Sequence, residues 1–302
     1  MEGSDDGVAE KVIAEMRFDR DMAAVEPTVS WQHREGGENF PVALRVLPRR
    51  HREHLHAVYG YARMVDEIGD SLDGDRVAAL VTLRSEVEAI WSAPAQPVDG
   101  PILTRLAATV RDCDLPADPF LDLIEANMVD QQVSRYETTE DLAGYCRLSA
   151  DPVGRIVLGL FDASTPERIA LSDQVCTALQ LLEHLQDVAE DRRAGRIYLP
   201  QLLLSEYGVR ESDLDAATAT PALRRLVLAE TDRAEQLLRS GSPLVGRLRG
   251  WARLAVAGFV AGGLAAADGL RRTGGDVLAQ QATTSKADTA RHALVLVVRG
   301  RA

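Results

Sequence analysis

Cysteine, lysine and aromatic residues are all scarce in this 302-residue chain, and each shortage removes a class of explanation. The three cysteines, Cys113, Cys146 and Cys176, are odd in number and scattered, which suits neither a disulfide scaffold nor the close pairs of a zinc site. They read as reduced, buried small residues of a cytoplasmic protein. Lysine occurs only at Lys11 and Lys286, and 46 acidic residues against 34 basic ones give a net charge of −12. That balance argues against nucleic acid as a partner. The first residues are acidic and lack the basic start and apolar run of a secretory signal. Leu254 to Ala267, the longest apolar stretch, is shorter than the roughly 20 residues a bilayer requires, so no transmembrane span is expected and the stretch reads as a core helix. Its Gly258, Gly262 and Gly263 would let another helix, or a slender lipid chain, come close.

Strand signals are missing too: no β-branched alternation is bounded by hairpin turns. Helical periodicity predicts helices over about 41–47, 50–70, 76–92, 102–113, 118–134, 139–161, 167–193, 222–240, 244–272 and 286–298. Pro41, Pro48, Pro101, Pro119, Pro166 and Pro221 stand at or near their starts, where a missing N–H is tolerated. The fold is expected to be all-α. No linker divides the chain, so residues 36–302 read as one domain after a loosely ordered segment over 1–35.

What the sequence does hold is a doubled acidic pattern. Asp66 and Asp70 stand four apart in one helical segment, and Asp187 and Asp191 four apart in another. An i,i+4 pair projects both carboxylates from one face. Tyr59, Arg63, Asp66 and Asp70 share one stripe, and Gln180, Glu183, Asp187 and Asp191 share another. Mg²⁺ takes one or two carboxylates together with substrate phosphate oxygens and water, so two facing pairs suit a Mg²⁺-diphosphate site. Stacked like charges repel by roughly 0.2–0.5 kcal/mol per exposed pair, a cost that a cation would relieve. The competing reading is a solvated helix face. The apolar flanks Val58, Val65, Ile68, Leu182, Leu185 and Val188 weigh against it, because carboxylates on buried helices need partners.

Four strings extend this pattern: Glu38 to Ala43, Tyr59 to Asp66, Tyr145 to Arg155, and Gln186 to Pro200. Together and in order they resemble the squalene and phytoene synthase family, over roughly residues 35–275, and within it the hydroxysqualene synthase branch of bacterial hopanoid biosynthesis. The resemblance implies an isoprenoid-synthase helical fold with a central cavity and the two acidic motifs opposed at its mouth. It implies Mg²⁺-dependent ionisation of a prenyl diphosphate, with presqualene diphosphate as substrate and water capturing the rearranged cation. Under it, Asp66, Asp70, Asp187 and Asp191 are metal-binding and catalytic. Arg63, Gln180, Tyr198 and Arg196 border the diphosphate, and Phe40, Tyr59 and Tyr145 border the cavity. For each aromatic, simple core packing is the competing reading. Two positions depart from the family pattern. Glu67 follows Asp66 where a second aspartate is usual, and Glu183 stands where asparagine is usual, adding a carboxylate to the metal set.

Other readings stay open. A prenyltransferase condensing two farnesyl diphosphates would need the same acidic motifs; a catalytically silent lipid-binding partner of a sister synthase would not, and loss of a motif would have favoured it, but neither is lost. No Ser/His/Asp arrangement, P-loop or dinucleotide fingerprint is visible. His51, His54 and His56 read as solvent-facing, and His184 as a packing or hydrogen-bonding residue. The tail from Arg291 to Arg299 has an apolar face flanked by arginines; it suits peripheral contact with an anionic membrane, association with sister pathway enzymes, or plain packing.

Overall fold

A computed structural model describes residues 47–94, 96–280 and 282–299. The described residues form helices with no strand, as expected. They run α1 (Arg49–Asp70), α2 (Arg76–Ser92), α3 (Pro101–Cys113), α4 (Asp118–Asp130), α5 (Thr139–Ser149), α6 (Asp151–Leu160), α7 (Pro166–Gln186), α8 (Val188–Arg193) and α9 (Gln201–Tyr207). After a 3₁₀ turn over Glu211–Asp215 follow α10 (Pro221–Gly241), α11 (Leu244–Arg247), α12 (Gly250–Arg272) and α13 (Lys286–Arg299). Local chemistry sets several starts: Asp75 accepts from the Ala78 N–H, Thr138 and Asp141 form a reciprocal capping box, and Thr165 and Thr220 each cap a helix opening on proline.

The predicted helix over 41–47 falls outside the described residues except for Leu47, a buried bend. Three predicted helices are divided. The one over 139–161 breaks at Ala150, because Pro152 lacks an N–H and Asp151 opens a new first turn. The one over 167–193 breaks at Asp187, whose φ of −103° and ψ of 11° lie in the sparsely populated bridge region. The one over 244–272 breaks ahead of Gly250, whose φ of +55° is left-handed. The helix predicted over 118–134 ends at Asp130, and α9 was not expected at all.

Helix α1 buries Leu55, Val58, Tyr61, Val65 and Ile68 against α3 and α4, and the Tyr61 hydroxyl donates to the Phe120 carbonyl at 2.8 Å. This packing overturns the solvent-facing reading of two histidines. His54 is buried with Nδ1 3.1 Å from Thr109 Oγ1, and the His51 ring lies 4.9 Å from Phe161. Only His56 is exposed.

Helix α7 packs on α6, α10 and α12. By length and apolarity α12 would cross a membrane, but its buried residues run from Ala252 to Leu270 inside the bundle. A Cβ on Gly263 would stand 2.5 Å from Leu179 Cδ2 and 2.7 Å from Leu238 Cδ2, so helix packing explains that glycine. Between α6, α7, α11 and α12 lies an apolar cavity of about 90 Å³, lined among others by Val153, Val157, Leu179, Leu244, Val256 and Phe259.

Candidate active site

The first acidic motif occupies the last turns of α1. Arg63 Nη1 stands 3.9 Å from Asp66 Oδ2, and Asn127 Nδ2 of α4 donates to Asp66 Oδ1 at 3.4 Å. The close approach of α1 and α4 depends on Gly69, because a Cβ there would run into the Asn127 side chain. Gln131 donates to the Gly69 carbonyl at 3.0 Å and holds the two helices together.

The second motif follows the kink at Asp187. The helical bond from the Asp191 N–H to the Asp187 carbonyl survives at 2.8 Å, so both carboxylates stay on neighbouring turns. The next bond, from the Arg196 N–H to the Asp191 carbonyl at 2.9 Å, turns the chain back. Arg196 Nη1 then donates to Asp70 Oδ1 at 2.7 Å, bringing the two motifs together across 126 positions of sequence. Arg196, five residues past Asp191, thus ties the end of the second motif to the last carboxylate of the first.

Electrostatics mark this as a site short of positive charge. Burial pushes the Asp191 carboxyl up to about 7; Asp187, Glu190 and Asp130 add to the shift and Arg196 opposes it. Asp187 is raised as well, by burial and by Glu190. Arg196 Nε is buried and has no partner among the described residues.

Beneath Arg196 lies an aromatic cluster that no spacing in the sequence disclosed. Asp130, at the end of α4, accepts from the Tyr145 hydroxyl at 2.6 Å and from the Tyr198 hydroxyl at 3.2 Å. Burial raises Asp130, and the two tyrosine hydroxyls and Arg196 offset part of the rise. Main-chain bonds from Ile197 N–H to the Ser134 carbonyl and from Gln201 N–H to the Tyr136 carbonyl lay the two segments together. They stack Tyr136 on Tyr198 with centroids 5.7 Å apart. His184 also stacks on Tyr198, with centroids 3.8 Å apart and an interplanar angle of 12°. Burial and Arg196 press the His184 imidazole down to about 3, so it is neutral at ordinary pH.

The structure thus gathers Arg63, Asp66, Asp70, Asp191, Arg196, Tyr145 and Tyr198, with Asp187 at the kink. Gln180 lies 3.4 Å from His184 Nε2 and reaches the cluster through it. Tyr59 is half-buried on the α1 stripe, and Glu183 is the exposed member of its ladder. Phe40 lies outside the described residues. Asn127, Asp130 and Tyr136 join the site unannounced; the available signal was two polar residues, three apart, at the end of the apolar helix α4.

Among the described residues no three His, Cys, Asp or Glu side chains converge tightly enough to cage a metal ion on their own. The donor set nevertheless fits Mg²⁺. It consists of carboxylate oxygens, and Mg²⁺ characteristically completes its shell with water and substrate phosphate rather than with protein. The raised Asp187 and Asp191 are carboxylates whose charge a cation would stabilise.

Comparison with known proteins places the chain in a family. The sequence profile of squalene/phytoene synthases matches residues 33–288. A hydroxysqualene synthase of Rhodopseudomonas palustris is 35% identical over 72% of this chain and 73% of its own length. A presqualene diphosphate synthase of the same organism is 34% identical over 66% of this chain and 71% of its own. The crystal structure of squalene synthase HpnC from Alicyclobacillus acidocaldarius superposes with a TM-score of 0.74 at 41% identity, covering 80% of this chain and 90% of that one. The all-α isoprenoid-synthase fold is common to them. With paired acidic motifs, the helical bundle and these matches in agreement, the chain belongs to the squalene/phytoene synthase family.

Proposed function

We propose that the protein is a Mg²⁺-dependent hydroxysqualene synthase that converts presqualene diphosphate and water to hydroxysqualene and diphosphate. The observation that carries the reading is Arg196, which donates to Asp70, acts electrostatically on Asp191 and keeps Nε unpartnered among the described residues. A guanidinium among carboxylates, with a hydrogen-bond donor to spare, suits a diphosphate that arrives with its own cations. Asp66, Asp70, Asp187 and Asp191 would hold Mg²⁺, which when bound supplies charge stabilisation for the leaving group.

The remaining steps use the chain's own groups. Arg196 and Arg63 orient the diphosphate as the C–O bond breaks and its electron pair leaves with the phosphate oxygen. Tyr145 would border the developing carbocation, backed by the stack of Tyr136, Tyr198 and His184. Asp130 fixes two of those rings through their hydroxyls. A neutral His184 matters here, because an imidazolium beside Tyr198 would repel the cation. Water adds its oxygen to the rearranged cation and loses one proton to form the alcohol.

A second reading has a specific observation behind it: the matched relatives include a presqualene diphosphate synthase at nearly the same identity. Condensation of two farnesyl diphosphates would use the same motifs. Diphosphate release measured with presqualene diphosphate and with farnesyl diphosphate, each with and without Mg²⁺, separates the two. Release only from presqualene diphosphate, and only with Mg²⁺, supports the proposal; release from farnesyl diphosphate favours the condensing reaction.

A further inference from the structure

Helix α8 carries the end of the second acidic motif, yet only Val188 of its six residues is buried. Arg193, Ala194 and Gly195, which lead on to Arg196, are exposed. Apolar packing therefore leaves the path from Asp191 to Arg196 largely unfixed, although that path decides whether the Arg196 guanidinium meets Asp70. Ion pairs hold it instead.

They come from the 3₁₀ turn Glu211–Asp215. Arg192, next to Asp191 in sequence, gives its fork to Asp215, with Nε 2.7 Å from Oδ1 and Nη2 2.9 Å from Oδ2. Its Nη1 lies 3.3 Å from Glu211 Oε2. Glu211 also receives a second arginine. Arg135 Nε donates to Oε1 at 2.9 Å and Nη2 to Oε2 at 3.2 Å, while Nη1 donates to the Gly195 carbonyl at 2.7 Å. One carboxylate thus grips both ends of the turn between Asp191 and Arg196, Arg192 directly and Gly195 through Arg135. Gly195 has a left-handed φ of +85°, so a carbonyl held at this residue sets the direction in which the chain leaves toward Arg196. The 3₁₀ turn is itself seated: Leu214 is buried, Asp213 accepts from the Arg210 N–H at 3.0 Å, and the Val209 N–H donates to the Leu204 carbonyl of α9 at 2.8 Å.

We infer that Glu211 and Asp215 are positioning residues that act through Arg192 and Arg135 to hold Asp191 and Arg196 where a metal-bound diphosphate is met. The inference rests on the diphosphate reading of the site, but on neither the choice of prenyl substrate nor the fate of the cation. The Glu211 and Asp215 side chains are 41% and 55% exposed, and ion pairs so exposed add little to global stability. Their effect is local. It also has the opposite sign to simple electrostatics, in which removing two negative charges near an anion site strengthens anion binding. Loosening the turn weakens it.

The test is calorimetric titration of the full-length chain with inorganic diphosphate in the presence of Mg²⁺, without turnover. The near-isosteric double variant Glu211→Gln, Asp215→Asn should bind diphosphate about tenfold or more weakly, the size of one charge-assisted contact. Its melting temperature should stay within about 2–4 °C of the wild type. Arg135→Lys keeps the charge and loses the fork, so it should weaken diphosphate binding in the same direction with no change in net charge. Unchanged or tighter binding by the double variant overturns the proposal, as does a melt lowered by about 10 °C or more, which would make the pairs supports of the fold. Wild-type protein that binds no diphosphate with Mg²⁺ would overturn the site reading itself, and the proposal with it.

Discussion

Arg196→Ala separates a catalytic role for the bridging guanidinium from a structural one. The side chain of Arg196 is 25% exposed and that of Asp70 is 47% exposed, so the pair stands in a partly solvated setting. Such pairs contribute on the order of 0–1 kcal/mol, and in a protein of this size a loss of 1 kcal/mol lowers Tm by no more than about 2–4 °C. Activity is different. Removing one preorganised donor from a site where charge develops costs roughly 10²–10³ in kcat. Arg196 also opposes the upward shift of Asp191 and Asp130. Without it the metal-free Asp191 should titrate above about 7, so protons compete better with Mg²⁺ and, at limiting Mg²⁺, the acid limb of the pH–rate profile moves to higher pH. Arg196→Lys keeps the charge but not the fork, so it should hold the limb near its wild-type position while recovering only part of kcat. Steady-state kinetics across pH, with thermal melts of each variant, read all three effects. A melt lowered by 10 °C or more, or an Arg196→Ala variant of near wild-type kcat, would refute the reasoning.

Other expectations follow from the same contacts. Gly69→Ala should force Asn127 away from Asp66, destabilising the fold by roughly 1–3 kcal/mol and reducing kcat; urea unfolding and an activity assay check the two together. Asp151 is 3% exposed, accepts from Thr177 Oγ1 at 2.8 Å, and is pushed up to about 6 by burial. Its folded pKa lies above its unfolded value, so the native state binds the extra proton between about pH 4 and 6, and stability falls as pH rises through that window. Asp151→Asn should reduce the difference in unfolding free energy between pH 4 and pH 7 by about 2–3 kcal/mol, measured by urea titration at both pH values. Glu183→Asn should change the Mg²⁺ concentration needed for half-maximal rate, and an unchanged Mg²⁺ response would remove Glu183 from the metal set.

The helical faces of the acidic motifs were legible because helical periodicity fixes which side chains share a stripe, and α1 carries Arg63, Asp66 and Asp70 as its spacing required. The break at Asp187 was not legible. No proline or glycine stands there to mark the bridge-region backbone. The break at Ala150 had its signal in Pro152, but the apolar pattern on both sides reads as continuous. Asp130 escaped notice because its meaning is non-local: its partners lie 15 and 68 positions away, and an aspartate at a helix end is unremarkable until two tyrosines reach it. His54 was misread for a similar reason, since its partner Thr109 belongs to another helix.

The account's central claim is the fate of one substrate, and product analysis by gas chromatography with mass spectrometry tests it most directly. Purified protein is incubated with Mg²⁺ and presqualene diphosphate, with and without NADPH, beside an Asp187→Ala variant that retains its helical circular dichroism. The account predicts hydroxysqualene from the wild type without NADPH and none from the variant. Squalene formed only with NADPH, or no product from presqualene diphosphate while farnesyl diphosphate is consumed, would contradict it.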